Sequence, residues 1–497
     1  MKPIPQTQPD NTTSSHELMS LSPVKNLLDR VKRELTADFS PQAGAIRVSR
    51  SPGRLDVMGG IADYTGSMVC EATLDRAAAV ALQNRSDRNI QVFSFNLLDE
   101  HQPFTLRMPL DALAEHSIET LRQEFNQPGR RWAGYLAGCL AILHRHELLD
   151  LKHPNLAGMN LALLSDVPLG AGVSSSAAIE IAAMMNFLDH LGIRDRTDAL
   201  SVAAMCQEVE NQVVGAPCGI MDQVSSCCGE AGSLLRMICQ PHELLPNLKF
   251  PTGIRAIGIN SQVRHSVGGG MYGITRCAAF MGHRIILEEM RRLGQAAGRE
   301  MTGDPMRGYL ANLDPDDYKK FFRPVLPERI DGKSFLEKFG STIDTATQVQ
   351  PETSYHVRQA CDHHVLEARR VANFVKYLQA AAELPHDSPQ RKRELNKAGH
   401  LMYASHLSYT NDALLGADEC DLLVDLVRQR EGRGLYGAKI TGGGGGGTVA
   451  VLADETPVAT EAIEQIMREY AQQTGRQPEA FFGSSPGAWT VGTELTK

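Results

Sequence analysis

Residues 58–67, MGGIADYTGS, place one carboxylate, Asp63, beside Tyr64 in a stretch made mostly of small residues. Glycine lets the backbone come close to a neighbouring group, so such a loop can bring one acid and its own peptide groups against a ligand. We therefore interpret residues 58–67 as a candidate binding loop in which Asp63 makes a polar contact.

A second stretch, PLGAGVSSSAA over residues 168–178, has the composition of an anion site. Glycines and three serines at the start of a predicted helix expose several N–H donors and hydroxyls together. The helix dipole adds about 0.3–1 kcal/mol for a nearby negative charge. This pattern favours phosphate binding. The alternative is a simple helix N-cap by Ser174, which needs one serine and none of the preceding glycines.

Two acids, Glu210 and Asp222, lie twelve residues apart in EVENQVVGAPCGIMDQ. Asp222 lies between Met221 and Gln223, and a carboxylate in an uncharged neighbourhood needs a partner or a chemical function. Taken alone, Glu210 is better interpreted as part of a solvated helix face. Asp222 alone fits a structural and a functional role equally.

Residues 442–447 are six consecutive glycines. They contain the pattern G-x-G-x-x-G, but a strand pattern, TVAVLAD, follows them where the dinucleotide-binding motif needs a helix. The sequence contains no G-x-x-x-x-G-K-[ST] phosphate loop. We expect these glycines to let the backbone pack closely on another loop or a ligand, rather than to form a flexible linker.

The elements that position these groups are predicted from composition and periodicity. The strand patterns AIRVSRS and RAAAVAL flank the binding loop, and NLALLSDVP leads into the serine-rich stretch. A helix pattern follows that stretch, and another covers residues 199–215 and ends at Gly215 and Pro217.

The chain is predicted to divide at a polar stretch with three prolines, residues 240–253, after which IRAIGINSQ begins a new strand pattern. We expect a disordered tail over 1–20, an amino-terminal domain over 21–245 and a carboxy-terminal domain over 246–497. Residues 300–355, rich in Asp, Pro and Lys, have the composition of a variable insertion or mobile surface segment.

The chain has 497 residues, too many for one ordinary core, with 42% hydrophobic and 22% charged residues. A net charge of -8 argues against non-specific nucleic-acid or anionic-membrane binding. The amino terminus lacks a secretory signal, and none of the ten cysteines has Cys-x-x-Cys spacing. These features predict a soluble cytoplasmic protein with reduced thiols.

Taken in order, these stretches resemble the GHMP small-molecule kinases, and within them the galactokinase family. The resemblance is carried by SPGRLDVMGGIADYTGS, RRWAGYLAGCLAIL, VPLGAGVSSSAA, GAPCGIMDQ, INSQVRHSVGGGMYG, LMYASHLSYTND and GAKITGGGGGGTV. It covers most of residues 45–490 outside 300–355. It implies an α+β, two-domain GHMP kinase fold with the active site in the interdomain cleft, and it implies ATP and Mg²⁺ as cofactors.

The resemblance also implies roles for individual residues. Asp222 would accept the proton of a sugar's anomeric hydroxyl as it attacks the γ-phosphate of ATP, with Arg54 beside it. Ser176 and Glu210 would bind Mg²⁺. The predicted sugar contacts are Asp63, Tyr64, Gly60, Ile61, Gly219, Tyr272 and Arg264. The predicted ATP contacts are Gly170, Ala171, Gly172, Val173, Ser174, Ser175, Ser176, Gly443 and Gly444.

One departure from the galactokinase pattern bears on the sugar. That family has a Glu-His pair, facing the hydroxymethyl group at carbon 6, where this chain has Gly60 and Ile61. A six-carbon sugar would lose two polar partners there. L-Arabinose in its pyranose form is galactose without carbon 6. The same stretches are also similar to the kinase domain of plant L-arabinokinases, whose extra amino-terminal domain is not expected here.

We therefore predict an ATP-dependent sugar 1-kinase that forms L-arabinose 1-phosphate. The alternatives are a galactokinase that reads carbon 6 through other residues, and a catalytically silent sugar sensor with the same fold. D-Galacturonate is a third choice of substrate, because residues 58–67 supply no cation. The predicted partners are the sugar and ATP, with no nucleic acid or membrane, in a monomer or weak homo-oligomer. His363 and His364 fall on a charged helix and are expected to face solvent rather than bind metal.

Overall fold

The computed structural model describes residues 18–240, 242–264 and 270–496, which form two main β-sheets and the helices packed on them. The strands of this described part of the chain are β1 (Arg47–Met58), β2 (Met68–Asn84), β3 (Asn89–Ser94), β4 (Thr105–Pro109), β5 (Met159–Ser165), β6 (Ser233–Ile238), β7 (Glu243–Lys249), β8 (Ile254–Asn260), β9 (Ile330–Asp331), β10 (Ser354–Tyr355), β11 (Leu435–Ile440), β12 (Thr448–Asp454), β13 (Glu479–Phe481) and β14 (Thr493–Leu495).

The α-helices in the same residues are α1 (Val24–Glu34), α2 (Phe95–Asp99), α3 (Leu110–Glu115), α4 (Ile118–Phe125), α5 (Arg131–Arg145), α6 (Ser175–His190), α7 (Ala199–Glu208), α8 (Met221–Cys228), α9 (Met271–Ala296), α10 (Pro315–Asp317), α11 (Gly332–Phe339), α12 (Val357–Ala382), α13 (Pro389–Asn411), α14 (Asp418–Arg428), α15 (Pro457–Thr474) and α16 (Ala488–Val491). Helix α7 continues as a π-helical turn, Val209–Val214, and ends at Gly215 as predicted.

The larger sheet has the strand order β14-β1-β2-β5-β3-β4, with β6 also paired to β2 and β7 paired to β6. The smaller sheet has the order β11-β12-β8-β13, and β9 pairs with β10 separately. All of these pairs are antiparallel except β3 with β5. The predicted strands on both sides of residues 58–67 are confirmed as β1 and β2, and TVAVLAD is confirmed as β12.

Strand β1 leads directly into the candidate binding loop, residues 58–67, in the interior of the structure. Its pairing with β2 is irregular between Pro52 and Arg54 and again between Asp56 and Met58. Such irregularities redirect side chains and are frequent beside active sites. After β1, residues Gly60–Thr65 form a short 3₁₀ helix in which every residue is buried.

The stretch predicted to separate the domains is partly a strand. Residues 243–249 form β7, which pairs with β6. The change from the larger to the smaller sheet comes between Lys249 and Ile254. The end of the chain returns to the larger sheet, where β14 pairs with β1. The division at residue 245 stays a prediction, and most of the predicted 1–20 tail lies outside the described residues.

Several side chains of residues 300–355 are buried against the rest of the chain, although many of the segment's residues are exposed. The expectation of a variable insertion or mobile surface segment stays a prediction. Met306, Tyr318 and Phe335 belong to the hydrophobic core on the side of the smaller sheet. Asp344 forms an ion pair with Arg276 of α9 at 2.8 Å, and both side chains are under 10% exposed. The segment is rich in Asp and Lys, but apolar residues spaced along it are buried in this core.

The expectation that His363 and His364 face solvent is wrong. Both are fully buried on α12, and burial lowers the pKa of each well below its ordinary value. His363 Nδ1 lies 3.0 Å from Ser408 Oγ, and His364 Nε2 lies 3.0 Å from the hydroxyl of Tyr64. The neighbouring Asp362 is also buried, and its Oδ1 lies 2.7 Å from Nε of Arg323, a residue of the 300–355 segment.

None of the helices in the described ranges is both long and apolar enough to cross a membrane.

Candidate active site

One cavity gathers most of the predicted site residues. It lies where β1, the start of α6, the π-helical turn, α8 and the first turn of α9 come together, and Gly443 closes one side. The predicted residues that line it are Arg54, Ile61, Asp63, Gly170, Gly172, Val173, Ser174, Ser175, Ser176, Glu210, Gly219, Asp222, Tyr272 and Gly443. We call it the catalytic cavity.

Five predicted contacts do not line the catalytic cavity. Ala171 and the exposed Arg264 line a neighbouring cavity of about 330 Å³, which shares Gly170 with the first. Gly60, Tyr64 and Gly444 are buried and line neither cavity. Tyr64 supports the wall of the catalytic cavity, because its ring packs edge-on against Tyr272 with centroids 6.0 Å apart.

Arg54 joins Asp222, the predicted base, to residues 170–176, the predicted phosphate loop. Its Nε and Nη2 donate to Asp222 Oδ1 at 3.0 and 2.6 Å, and its Nη1 donates to the carbonyl oxygen of Gly172 at 2.7 Å. The Arg54 side chain is 2% exposed, and Glu71 Oε2 lies 3.2 Å from the same Nε. Two carboxylates around a buried cation fix its position and keep it charged.

Ser174 does not cap α6. It precedes the helix in the left-handed region, with φ 61° and ψ 47°, and its side chain accepts no capping bond. Its Oγ is buried and has no hydrogen-bond partner among the described residues. The interpretation of Ser174 as a simple N-cap is therefore wrong. A free hydroxyl and free N–H groups at a helix start form an anion-binding arrangement.

The six glycines pack closely, as predicted. A Cβ built on Gly442, whose φ is +66°, would lie 2.7 Å from the carbonyl oxygen of Gly172. The hydroxyl of Thr448 donates to the carbonyl oxygen of Ala171 at 2.8 Å. The glycine-rich stretch and the loop before α6 therefore hold each other in place.

The predicted metal ligands also lie together. Glu210 is buried, and its pKa is raised to about 7 by burial and by the charge of Asp222, while hydrogen bonds from Ser176 and Gln223 act to lower it. Gln223 Nε2 donates to Glu210 Oε2 at 2.8 Å and to Glu180 Oε2 at 3.2 Å.

A magnesium ion fits this donor set. Mg²⁺ prefers oxygen ligands and is often held by one or two carboxylates together with substrate phosphates. The described residues contain no cluster of three or more His, Cys, Asp or Glu side chains able to hold a metal, and this type of site needs none. A cation at Glu210 would favour the charged carboxylate that burial disfavours.

Asp63 is an acid held inside the cavity wall. Its Oδ1 accepts the Tyr64 N–H at 2.6 Å. Its pKa is raised from the ordinary 3.8 to about 7, because burial disfavours the carboxylate and Asp222 adds a like charge, while Arg276 acts in the opposite direction. An ionised Asp63 therefore lacks partners that a ligand hydroxyl could supply.

The raised pKa predicts a pH-dependent effect of Asp63→Asn on stability without ligand. The folded chain holds this proton more tightly than the unfolded chain. The tighter proton binding of Asp63 therefore adds to the free energy of unfolding of the wild type. This addition is fully present below about pH 4 and is lost as the pH rises through about 7. Asn does not titrate. We expect the variant to gain about 2 kcal/mol relative to wild type between pH 5.5 and pH 8, measured by urea unfolding at both pH values.

The matched control is Asp198→Asn. Asp198 caps α7 through the Leu200 and Ser201 N–H groups, and these bonds lower its pKa below the ordinary value. Its stability difference from wild type should therefore not change between pH 5.5 and pH 8. If the stability difference between Asp63→Asn and wild type were also the same at pH 5.5 and pH 8, the raised pKa of the buried Asp63 would be contradicted.

Sequence reasoning missed four residues that support the cavity: Glu71, Gln223, His364 and Tyr409. Gln223 had a signal, because it follows Asp222 directly on α8. Glu71 contacts Arg54 on the neighbouring strand. His364 contacts Tyr64 and Tyr409 contacts Ile61, which lie 300 and 348 residues away, and no local pattern marks these contacts.

Two family models match the chain in regions that contribute to this cavity. The model for the GHMP kinases N terminal domain matches residues 135–230, and the model for the GHMP kinases C terminal region matches residues 381–472. The chain carries both domains of a GHMP kinase. The predicted recognition and the α+β GHMP kinase fold are thereby confirmed.

Sequence relatives of this GHMP kinase include an L-arabinokinase and several galactokinases. An L-arabinokinase of Arabidopsis thaliana is 35% identical over 90% of the chain, and the chain spans 46% of that protein, about half of its length. A galactokinase of Chloroflexus aggregans is 29% identical over 86% of the chain and 89% of its own length.

Solved structures agree on the fold. Lactococcus lactis galactokinase, determined in complex with galactose, matches with a TM-score of 0.68 at 19% identity, over 95% of this chain and 100% of that one. Methanococcus jannaschii mevalonate kinase matches with a TM-score of 0.52 at 13% identity, over 89% of this chain and 99% of that one. At these identities the matches concern the fold alone.

Proposed function

We propose that this GHMP kinase is an ATP-dependent sugar 1-kinase that converts L-arabinose to L-arabinose 1-phosphate. The observation that carries the proposal is the convergence of Asp222, Asp63 and the 170–176 loop on one cavity. An acid that accepts a proton, an acid that binds hydroxyls and an anion-binding loop are the groups needed to transfer a phosphoryl group to an alcohol.

In the proposed reaction, Asp222 accepts the proton of the anomeric hydroxyl while that oxygen attacks the γ-phosphate of ATP. Arg54 uses only Oδ1 of Asp222, so Oδ2 remains for the substrate hydroxyl. The guanidinium also lies against the phosphate loop, where it stabilises negative charge on the transferring group.

The nucleotide phosphates would be bound by the loop before α6. The Ser174 hydroxyl and the N–H groups at the helix start supply donors that the fold leaves free. Mg²⁺, held by Ser176 and Glu210, would neutralise charge on the phosphates when bound. Transfer of a phosphoryl group depends mainly on such positioning and charge stabilisation.

The wall next to Asp63 favours a sugar without carbon 6. Ile61, an apolar residue, is among those that line the catalytic cavity, and Gly60 before it has no side chain. Asp63 and Tyr272 line the same cavity and supply polar groups for ring hydroxyls. A hydroxymethyl group would meet Ile61 and would lose hydrogen bonds with water without replacement.

A uronic acid is less well accommodated. A cation near this wall is Arg276, whose guanidinium lies 4.9 Å from the centroid of the Tyr64 ring. Its Nε and Nη2 already donate to both oxygens of Asp344, at 2.9 and 2.8 Å. A substrate carboxylate would have to compete with this buried pair.

The test is ADP release by the purified protein with ATP and Mg²⁺, comparing L-arabinose, D-galactose and D-galacturonate. We expect kcat/KM for L-arabinose to exceed that for D-galactose by roughly 10- to 200-fold, the range of apolar pocket discrimination. A higher kcat/KM for D-galactose than for L-arabinose would contradict the proposal that L-arabinose is the substrate. No turnover of any of the three by folded protein would favour a sensor.

A further inference from the structure

Tyr409, on α13, connects the sugar-side loop with the glycine-rich stretch. Its side chain is fully buried. Its hydroxyl accepts the Ile61 N–H at 2.9 Å and donates to the carbonyl oxygen of Gly442 at 3.0 Å. One hydroxyl thus satisfies a backbone group on each of the two loops that enclose the catalytic cavity.

The same hydroxyl fills the space beside position 60. A Cβ built on Gly60 would lie 1.8 Å from Tyr409 Oη and 2.7 Å from Asp56 Oδ2. The backbone of Gly60 has φ +46°, and the Gly60 N–H donates to Asp56 Oδ1 at 2.9 Å. Gly60 therefore cannot easily move aside. A side chain at position 60 and the hydroxyl of Tyr409 therefore exclude each other.

We propose that Tyr409 is a positioning residue that sets sugar specificity. By occupying the space of a side chain at position 60 and holding the Ile61 N–H, it fixes the Ile61 side chain as an apolar wall. The class of substrate that suits this wall is a pentopyranose, a six-membered ring with no substituent carbon beyond it. This inference rests on the proposed sugar kinase function.

The first measurement compares Tyr409→Phe with wild type. The ring and its packing stay, but the buried Ile61 N–H loses its acceptor. We expect the ratio of kcat/KM for L-arabinose to that for D-galactose to fall by about tenfold, because the wall becomes free to shift. A purely structural role would lower activity with both sugars equally and would leave this ratio unchanged.

The matched control is Tyr403→Phe, a buried tyrosine on the same helix whose ring packs against Arg428. This variant should keep the wild-type ratio. A fall of the ratio in the control equal to that in Tyr409→Phe would overturn the proposal, and so would an unchanged ratio in Tyr409→Phe.

The second measurement is a double-mutant cycle between Gly60→Ala and Tyr409→Phe. Gly60→Ala alone places a methyl group against the hydroxyl and should lower the thermal unfolding midpoint and the arabinose kcat/KM. Tyr409→Phe removes the atom nearest to that methyl group. The double variant should therefore be less impaired than the sum of the single variants. Additive effects would overturn the steric exclusion.

The two readouts separate this inference from the proposed function. If wild type phosphorylated neither sugar, the proposed function and the specificity role would both fail. The unfolding midpoints would still report whether position 60 and Tyr409 exclude each other. If wild type used L-arabinose but the ratio did not respond to Tyr409→Phe, only this inference would fail.

Discussion

Asp222→Asn should lower kcat for sugar phosphorylation by about 10³-fold, within the range of 10²–10⁴ for loss of a general base. The amide has nearly the shape of the carboxylate but cannot accept the proton of the attacking hydroxyl. Arg54 would still have an oxygen acceptor, so the phosphate loop, which Arg54 holds through the carbonyl oxygen of Gly172, should keep its position. The measurement is ADP release at saturating ATP and sugar.

Binding should survive this substitution. If Asp222 acts in the chemical step, sugar and nucleotide affinities measured by calorimetry should change far less than kcat. Asp198→Asn serves as the control, because it makes the same chemical change at the N-cap of α7, and Asn caps a helix as well as Asp. It should keep wild-type turnover. More than about a tenth of wild-type kcat in Asp222→Asn would contradict the general-base role.

The elements that local patterns define were predictable from the sequence. The strands around the binding loop, the helix after the serines and the strand after the six glycines all lie where alternation or helical spacing predicts them. These elements depend on contacts within a sheet or on a helix start, which leave a local trace. Two of them, β1 and the start of α6, contribute residues to the lining of the catalytic cavity.

What could not be predicted depends on contacts between distant segments. His363 and His364 lie among charged residues, so the sequence suggests an exposed helix. In the structure Tyr318 and Arg323 of residues 300–355 pair with the neighbouring Asp362. His363 packs against Ser408 and Tyr409, and His364 packs against Tyr64. Tyr409 was missed for the same reason, since its partner Ile61 lies 348 residues away. Three-dimensional packing decided these positions, whereas local propensity did not.

Lys439→Met should be among the most destabilising single substitutions near the site. Lys439 on β11 forms an ion pair with Asp56 on β1, and both side chains are fully buried. This pair joins the smaller sheet to the larger one. Removing the ammonium leaves a buried carboxylate without its cation, which costs about 3–5 kcal/mol. The loss should appear as lower thermal and urea unfolding midpoints.

The same substitution should weaken sugar binding. Asp56 holds Gly60 through its Oδ1, and its backbone N–H donates to Thr441 Oγ1 at 2.7 Å, beside the glycine-rich stretch. A carboxylate that moves to find water would release the Gly60 N–H and shift Ile61. We expect KM for the sugar to rise more than KM for ATP.

A double variant separates charge from packing. In Asp56→Asn with Lys439→Met, neither charge of this pair remains, and the Asn oxygen can still accept the Gly60 N–H. This double variant should therefore be more stable than Lys439→Met alone, as expected when a buried pair is replaced as a whole. Lys397→Met is the matched control, because that lysine pairs with Glu394 on an exposed helix face, and its loss should change stability by less than about 0.5 kcal/mol. Equal unfolding midpoints for Lys439→Met and Lys397→Met would contradict the role of the buried pair. A double variant less stable than Lys439→Met would show that packing around the lysine stem, rather than its charge, stabilises the junction of the two sheets.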